Sequence, residues 1–273
     1  MVQIFGTKIF FCFQEIMMSD NYFDFVSGRV SLIIPTVSRN KLVSIKSFLK
    51  KRYLLQDALN DISIFVRGDI EVIVLCNSSN DTKLLELIQT HSAVDKWAVN
   101  SINIGVPRSW NQGAQMATGE FLCFMNDDVE IRKGAIEKMV SWFIDKKIGQ
   151  VGPKGTYWWR QTPGDYVGLE KPSEADAISG WLFMLPAKVF YEIGGIDNFY
   201  SPAFMEEIDL SFAIRNAGYM CMVDPSIEAE HHHISGASST NRPIEALGSS
   251  ISRDELTSRN RDYFEKKWEK FWK

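Results

Sequence analysis

Four strand-like runs frame the first half of this chain, and each stops at a polar cluster. Val30–Ile34 runs into Pro35–Arg39, and Glu71–Leu75 into Cys76–Asp81. Trp97–Ile102 precedes Asn103–Gly105, and Glu120–Met125 ends at Asn126–Asp128. Helical patterns separate them. Asn40–Gln56 carries Leu42, Ile45, Leu49 and Tyr53 on one stripe, and shorter helices are predicted at Thr82–Gln89 and Ser109–Ala117. Ala135–Asp145 follows, with Ile136, Met139, Val140 and Phe143 on one face. Near-continuous apolar strands alternating with helices predict an α/β fold, a mostly parallel central sheet flanked by helices. Ligands of such sheets bind outside the carboxyl ends of the strands, so the four polar clusters are expected to line one crevice.

After Gly149 the pattern changes. Residues 151–177 are rich in Gly, Pro, Trp and Tyr, which predicts loops and short strands. Strands are expected at Gly180–Pro186 and Tyr219–Val223, with a helix from Glu206 to Ala217 closed by Gly218. Arg253–Trp272 reads as a charged helix folding back over the body. The predicted organisation is an extension over 1–29, one domain over 30–235, and a C-terminal loop and helix over 236–273. Within the domain, 30–130 is the ligand-binding half and 131–235 the catalytic half.

Composition narrows the function. With 273 residues there is enough chain for a full core, and a formal charge of -4 argues against a nucleic-acid partner. Cys12, Cys76, Cys123 and Cys221 show no CxxC spacing, so neither a zinc knuckle nor a disulfide framework is expected. The apolar patches of the first 26 residues are interrupted by Lys8, Gln14 and Glu15, too polar for a spanning helix. They also lack the pattern of a secretory signal. A cytoplasmic protein without a transmembrane segment is the expectation, with peripheral membrane association left open.

Three polar groups carry chemistry. Asn126-Asp127-Asp128 ends a buried strand, where carboxylates are costly unless a cation meets them. A hard divalent ion takes one or two such carboxylates and completes its shell with phosphate oxygens and water. Glu206-Glu207-Ile208-Asp209 opens a helix, where acidic residues also act simply by opposing the helix dipole. In His231-His232-His233, an extended backbone puts His231 and His233 on one face and His232 on the other.

In order along the chain stand VSLIIPTVSR, EVIVLCNSSNDT, NIGVPRSWNQGAQMATGEFLCFMNDDVEI, GGIDNFYSPAFMEEIDLSFAIRNAGY and RNRDYFEKKW. Together, over Val30 to Trp268, they resemble the family-2 glycosyltransferases of GT-A fold, with a flavour of the bacterial rhamnosyl- and polysaccharide-type enzymes. The resemblance implies inverting sugar transfer from a nucleotide-diphosphate donor to a hydroxyl of a glycan or lipid-linked sugar, with Mn²⁺ or Mg²⁺ as cofactor. By the same resemblance Pro35, Thr36, Ser38 and Arg39 form a first nucleotide-contacting loop, and Cys76, Asn77, Ser78 and Ser79 a second. The family usually has Asp at the position of Cys76, where it reads the base. Asn103, Gly105, Asn111 and Gly113 fit the segment along the nucleotide-sugar. Asn126 stands for the first Asp of the DxD motif, beside Asp127, which leaves Asp128 as the metal ligand.

The resemblance makes Glu207 the general base, with Glu206 and Asp209 as the neighbouring candidates. It also places a histidine near the metal, His231 ahead of His233. Gly180 and Trp181 fall on the acceptor-binding loop, Trp181 as an aromatic platform ahead of Trp158 and Trp159. The alternatives are a sugar-nucleotide nucleotidyltransferase, whose Gly-rich basic signature PTVSRNK does not supply, and a catalytically silent nucleotide-binding protein.

Overall fold

The computed structural model of the chain describes residues 24–38, 53–232 and 243–273. The predicted helix Asn40–Gln56 falls mostly outside these residues, as do Arg39 and His233. The first described strand and helix are β1 (Val26–Thr36) and α1 (Leu55–Phe65). Next come β2 (Ile70–Cys76), α2 (Thr82–Thr90), β3 (Lys96–Val99), α3 (Val106–Met116), β4 (Gly119–Met125), β5 (Val129–Ile131) and α4 (Ala135–Ser141). The second half of the chain holds β6 (Ile148–Gly152), β7 (Gly155–Trp159), β8 (Thr162–Val167), β9 (Ser173–Glu174), β10 (Ala177–Ile178) and β11 (Leu182–Pro186). It continues with α5 (Ala187–Glu192), α6 (Glu206–Asn216), β12 (Met220–Val223) and β13 (Ala229–His231). The hairpin β14 (Ile244–Ala246) and β15 (Ser249–Ile251) leads into α7 (Arg253–Lys267).

An eight-stranded sheet in the order β3-β2-β1-β4-β11-β6-β12-β9 forms the centre. β3, β2, β1 and β4 are mutually parallel, as are β6 and β12, whereas β11 and β9 run against their neighbours. Alternate side chains of each strand enter two cores. Leu32, Ile34, Val72, Val74, Cys123 and Met125 point to one face, and Ile33, Ile73, Leu75, Leu122 and Phe124 to the other. Helix α1 covers the first face with Leu55, Ala58, Leu59 and Ile62, and α3 covers the second with Trp110 and Ala114.

β1 does not stop before Pro35 as its sequence suggests; it pairs with β2 through Thr36. The pairing with β4 ends at Ile33, so Pro35 lies past the last residue that needs an amide on that side. β3 is shorter than expected: its pairing with β2 ends at Val99, Asn100 N donates to Cys76 O as the last bond between them, and the chain bends at Ser101 and Ile102. α3 begins earlier than expected because Pro107 fits a first helical turn.

At the amino ends of the strands the buried Glu71 ties the sheet together. It accepts from Ser31 Oγ at 2.5 Å and Lys96 Nζ at 2.7 Å, and from the Thr118 amide. Burial pushes this carboxyl up, but those donors outweigh it and hold it at about 2. One end of the sheet is therefore closed by a satisfied structural charge. The other end is where the unexplained polar groups collect.

Candidate active site

The carboxyl ends of β1, β2 and β4 are joined by side chains as well as by the sheet. Thr36 Oγ1 donates to Asp127 Oδ2 at 2.6 Å, and Asn77 N donates to Thr36 O at 2.9 Å. Asn77 Nδ2 donates to Ser109 Oγ on α3 at 2.9 Å, while Asn100 Nδ2 bridges Asn77 Oδ1 and Gln112 Oε1. Ser38 donates to Asp81 Oδ2 at 2.6 Å, and its amide donates to Ser78 Oγ. The four strand ends converge as their pattern predicts. Ser109, Asn100 and Gln112 are additions that sequence reasoning missed, because nothing in a helix stripe marks which polar residue faces a crevice.

Asn126-Asp127-Asp128 forms the turn from β4 into β5. Asp128 is buried, and its Oδ1 lies 3.1 Å from His231 Nε2. Asn126 Nδ2 is 3.5 Å from the same nitrogen. The antiparallel pairing of β13 with β5 sets His231 opposite Val129 and so delivers its ring to this turn. His231 stacks on Trp181, centroids 5.6 Å apart and planes inclined by 9°. Trp181 in turn accepts the Asn126 amide on its carbonyl at 2.9 Å.

The residue before Trp181 leads to the acidic helix start. A Cβ built on Gly180 would lie 3.0 Å from Glu207 Cβ and Cγ and 3.2 Å from Cδ. The carboxylate of Glu207 is thus one dipeptide away from the Asp128–His231 pair. Burial raises the Glu207 carboxyl above its ordinary range, against its own amide and that of Ile208, which pull it down. Glu206 is driven up much further, by burial first and then by the neighbouring Glu207 charge. Its Oε2 is buried without a hydrogen-bond partner among the described residues.

The chain matches the family described as "Glycosyl transferase family 2" over residues 31–173, more than half its length. It belongs to glycosyl transferase family 2. A Campylobacter jejuni GalNAc(5)-diNAcBac-PP-undecaprenol beta-1,3-glucosyltransferase is 30% identical over 115 residues, 41% of this chain and 33% of that protein. The uncharacterized protein y4gI of Sinorhizobium fredii is 22% identical over 230 residues, 74% of this chain and 24% of that protein. The chain therefore spans a quarter to a third of these relatives.

Similar solved structures include GalNAc-T7 with UDP, GalNAc and Mn²⁺, at TM-score 0.59 and 17% identity, covering 76% of this chain and 43% of that one. The mannosyltransferase PcManGT of Pyrobaculum calidifontis, in complex with GDP-Man and Mn²⁺, gives 0.55 and 16%, covering 82% and 64%. S. aureus TarS 1-349 with UDP-GlcNAc gives 0.55 and 14%, covering 72% and 56%. The fold of this family-2 chain is GT-A.

Within that fold several expected site residues have other duties. Cys76 is fully buried in the core beside Val74, and its thiol donates to Ser78 O at 3.5 Å. Gly113 is needed by packing: a Cβ there would meet Ile33 Cγ2 at 2.3 Å, under the sheet and away from the crevice. Asn111 clasps the 196–198 turn, donating to Ile196 O and accepting from the Ile196 amide. Asn103 accepts from Gly105 N and donates to Glu245 O on β14. Ser79 is exposed and bonds to Ser101 O.

Asp209 and Trp181 are likewise engaged by their neighbours. Asp209 is buried, and Tyr200 Oη, Lys267 Nζ and Trp268 Nε1 all donate to it at 2.7–2.9 Å. Trp181 is only 8% exposed, with His231 stacked on its ring and Lys154 Nζ 6.0 Å from its centroid, so it is no open platform. Trp159 is 58% exposed but packs edge-on to Trp272 at the C-terminus.

The donor set at Asn126, Asp128 and His231 fits a divalent cation: one carboxylate and one imidazole converge, with an amide beside them. A second group, Glu130, Glu230 and His232, has ligand atoms within 4.8 Å of one another but belongs to the opposite face of the β5–β13 ribbon. There His232 Nε2 meets Glu130 Oε2 at 2.8 Å and Arg132 pairs with Glu130. Among the described residues no helix is long and apolar enough to cross a membrane.

Proposed function

We propose that this family-2 chain is a metal-dependent inverting glycosyltransferase, which moves a hexosyl or deoxyhexosyl group from a nucleotide-diphosphate donor to a hydroxyl of a glycan or lipid-linked sugar. A role in polysaccharide assembly follows from that acceptor class. The observation that carries the reading is the Gly180-Trp181 dipeptide. It joins the Asp128–His231 pair at the sheet end to Glu207 at the start of α6. A leaving-group site and a proton acceptor are thereby held in one rigid frame.

The nucleoside diphosphate would lie across Thr36, Asn77 and the start of α3. Asp128 and His231, with Asn126 beside them, would hold Mn²⁺ or Mg²⁺, and the imidazole favours the transition ion. A cation there supplies positive charge to the diphosphate oxygens. Glu207 accepts the proton of the acceptor hydroxyl as its oxygen bonds to the anomeric carbon, and the carbon–oxygen bond to the diphosphate breaks with its electron pair leaving on phosphate. One displacement inverts the anomeric centre. Structural neighbours solved with UDP and GalNAc, with GDP-Man and with UDP-GlcNAc support the donor class.

Glu207→Gln tests the reading because it preserves shape and removes proton acceptance. Turnover should fall by about 10²–10⁴-fold with donor affinity nearly unchanged. Wild-type turnover in a folded Glu207→Gln enzyme would leave Glu207 as no more than a partner of the helix dipole, worth under about 1 kcal/mol.

A further inference from the structure

The segment 199–205, which delivers Glu206 and Glu207 to the crevice, forms almost none of its own carbonyl hydrogen bonds. Six consecutive carbonyls, from Phe199 to Phe204, are instead met by two other helices. Arg259 Nη2 donates to Phe199 O at 3.1 Å and to Ser201 O at 2.8 Å. Asn260 Nδ2 serves Tyr200 O at 3.3 Å, Ala203 O at 2.9 Å and Phe204 O at 2.8 Å. The remaining carbonyl, Pro202 O, accepts from Val106 N at the start of α3 at 2.8 Å.

The backbone held this way is one that the segment would not choose. Phe204 and Met205 have φ of 75° and 77°, left-handed values uncommon for side chains with a Cβ. Such a conformation persists only where its surroundings over-determine it. Asn260 is fully buried, and its Oδ1 accepts from Arg259 Nε at 3.0 Å and Nη2 at 2.9 Å, which fixes its amide to present the nitrogen to the carbonyls. Further along α7, Lys267 Nζ bridges Asp197 and Asp209, both at 2.8 Å, so the helix grips the segment on both sides of the acidic pair.

We infer that α7 is a positioning element for catalysis: Asn260, supported by Arg259 and Lys267, imposes the left-handed 204–205 step that aims Glu207 at the acceptor hydroxyl. The inference deepens the proposed role of Glu207 and rests on it. α7 and the acidic start of α6 both lie beyond residues 31–173, which match the family model. None of the three α7 side chains touches the Asp128–His231 pair, which makes the effect separable from donor binding.

The test compares Asn260→Asp, which keeps the shape but removes both donors, with Lys267→Met and Lys267→Arg. Turnover is followed on the donor found best among UDP-, dTDP- and GDP-sugars, donor affinity by calorimetry with the matching nucleoside diphosphate and Mn²⁺, and opening of 199–210 by hydrogen exchange. Asn260→Asp and Lys267→Met should lower kcat at least about tenfold, the scale of a sub-ångström to ångström misplacement. Nucleoside diphosphate affinity should stay within about twofold, exchange at 199–210 should speed up while 119–128 is unchanged, and Lys267→Arg should restore kcat. Added to Glu207→Gln, neither change should lower turnover further. Unchanged kcat despite faster exchange, or kcat and affinity falling together, would overturn the inference. Should Asn260→Asp fail to fold, the Lys267 pair decides. A fully active Glu207→Gln enzyme would refute the base assignment instead, a result separate from the α7 variants.

Discussion

Gly180 lies in van der Waals contact with the side chain of Glu207, so close that a Cβ would stand 3.0 Å from Glu207 Cβ and Cγ. Those atoms sit near the helix backbone and cannot swing aside as a side-chain tip does. Gly180→Ala should therefore turn Glu207 away from its position at a cost of about 1–3 kcal/mol in stability. Turnover should drop more than about tenfold, out of proportion to the change in melting temperature. If a thermally intact Gly180→Ala enzyme turns over like the wild type, Glu207 does not need this wall.

Gly105 supports a related prediction on the donor side. It has φ +81°, and a Cβ there would meet Pro202 Cα at 2.4 Å and Pro202 O at 2.7 Å. Both are backbone atoms, in the very segment that leads to Glu206. Gly105→Ala should cost roughly 2–4 kcal/mol, combining left-handed strain with overpacking. Gly134 has φ +84° and nothing within 4 Å, so Gly134→Ala isolates the strain and should cost only about 1–2 kcal/mol. Equal losses in urea denaturation would show that the Pro202 contact yields freely.

Glu206 carries a prediction about pH. Its folded carboxyl is raised, so the folded state binds the proton more tightly than the unfolded chain does. Stability should then be greatest below the unfolded value near 4.5 and decline as pH rises toward the folded one. Glu206→Gln cannot ionise and removes this decline. Denaturation between pH 5 and 8 should show the variant gaining on the wild type with rising pH, by about 1–2 kcal/mol at the upper end. Parallel curves would mean that Glu206 ionises without cost.

Much of this was legible in the chain, and for one reason: buried strands must be apolar, so polar residues at their ends stand out. β2, β4 and the convergence of Thr36, Asn77 and Asp127 followed from that contrast alone. Cys76, Asp209 and Trp181 did not, because periodicity tells that a residue faces inward but not which neighbour claims it. Asp209 was taken up by Lys267 and Trp268, which are more than fifty residues away in the chain. Asn260 is the reverse case. The polar run RNRDYF does not mark which of its residues is buried, and Asn260 is buried because five loop carbonyls need donors from α7.

The metal assignment gives the last prediction. Asp128 is buried at the turn after β4 and lies 3.1 Å from His231 Nε2, so an ion replacing that contact would bind both and bring them to a diphosphate. Asp128→Asn keeps the size of the side chain and its capacity to hydrogen-bond His231, but withdraws the negative charge that a divalent ion needs. In the wild type, Mn²⁺ should strengthen the binding of UDP or GDP, and EDTA should abolish the gain. At a hundred times its dissociation constant the nucleotide–Mn²⁺ pair should stabilise the fold by about 2.7 kcal/mol, read as a higher melting temperature. Asp128→Asn should retain the melting temperature of the free protein and lose the Mn²⁺-dependent part of both effects. His231→Gln, which keeps a polar side chain under Trp181 but offers no imidazole, should lose a smaller share. Retention of the full Mn²⁺ effect by Asp128→Asn would move the cation elsewhere, and the Glu130, Glu230 and His232 group on the other face of the ribbon would be the next set of ligands to change.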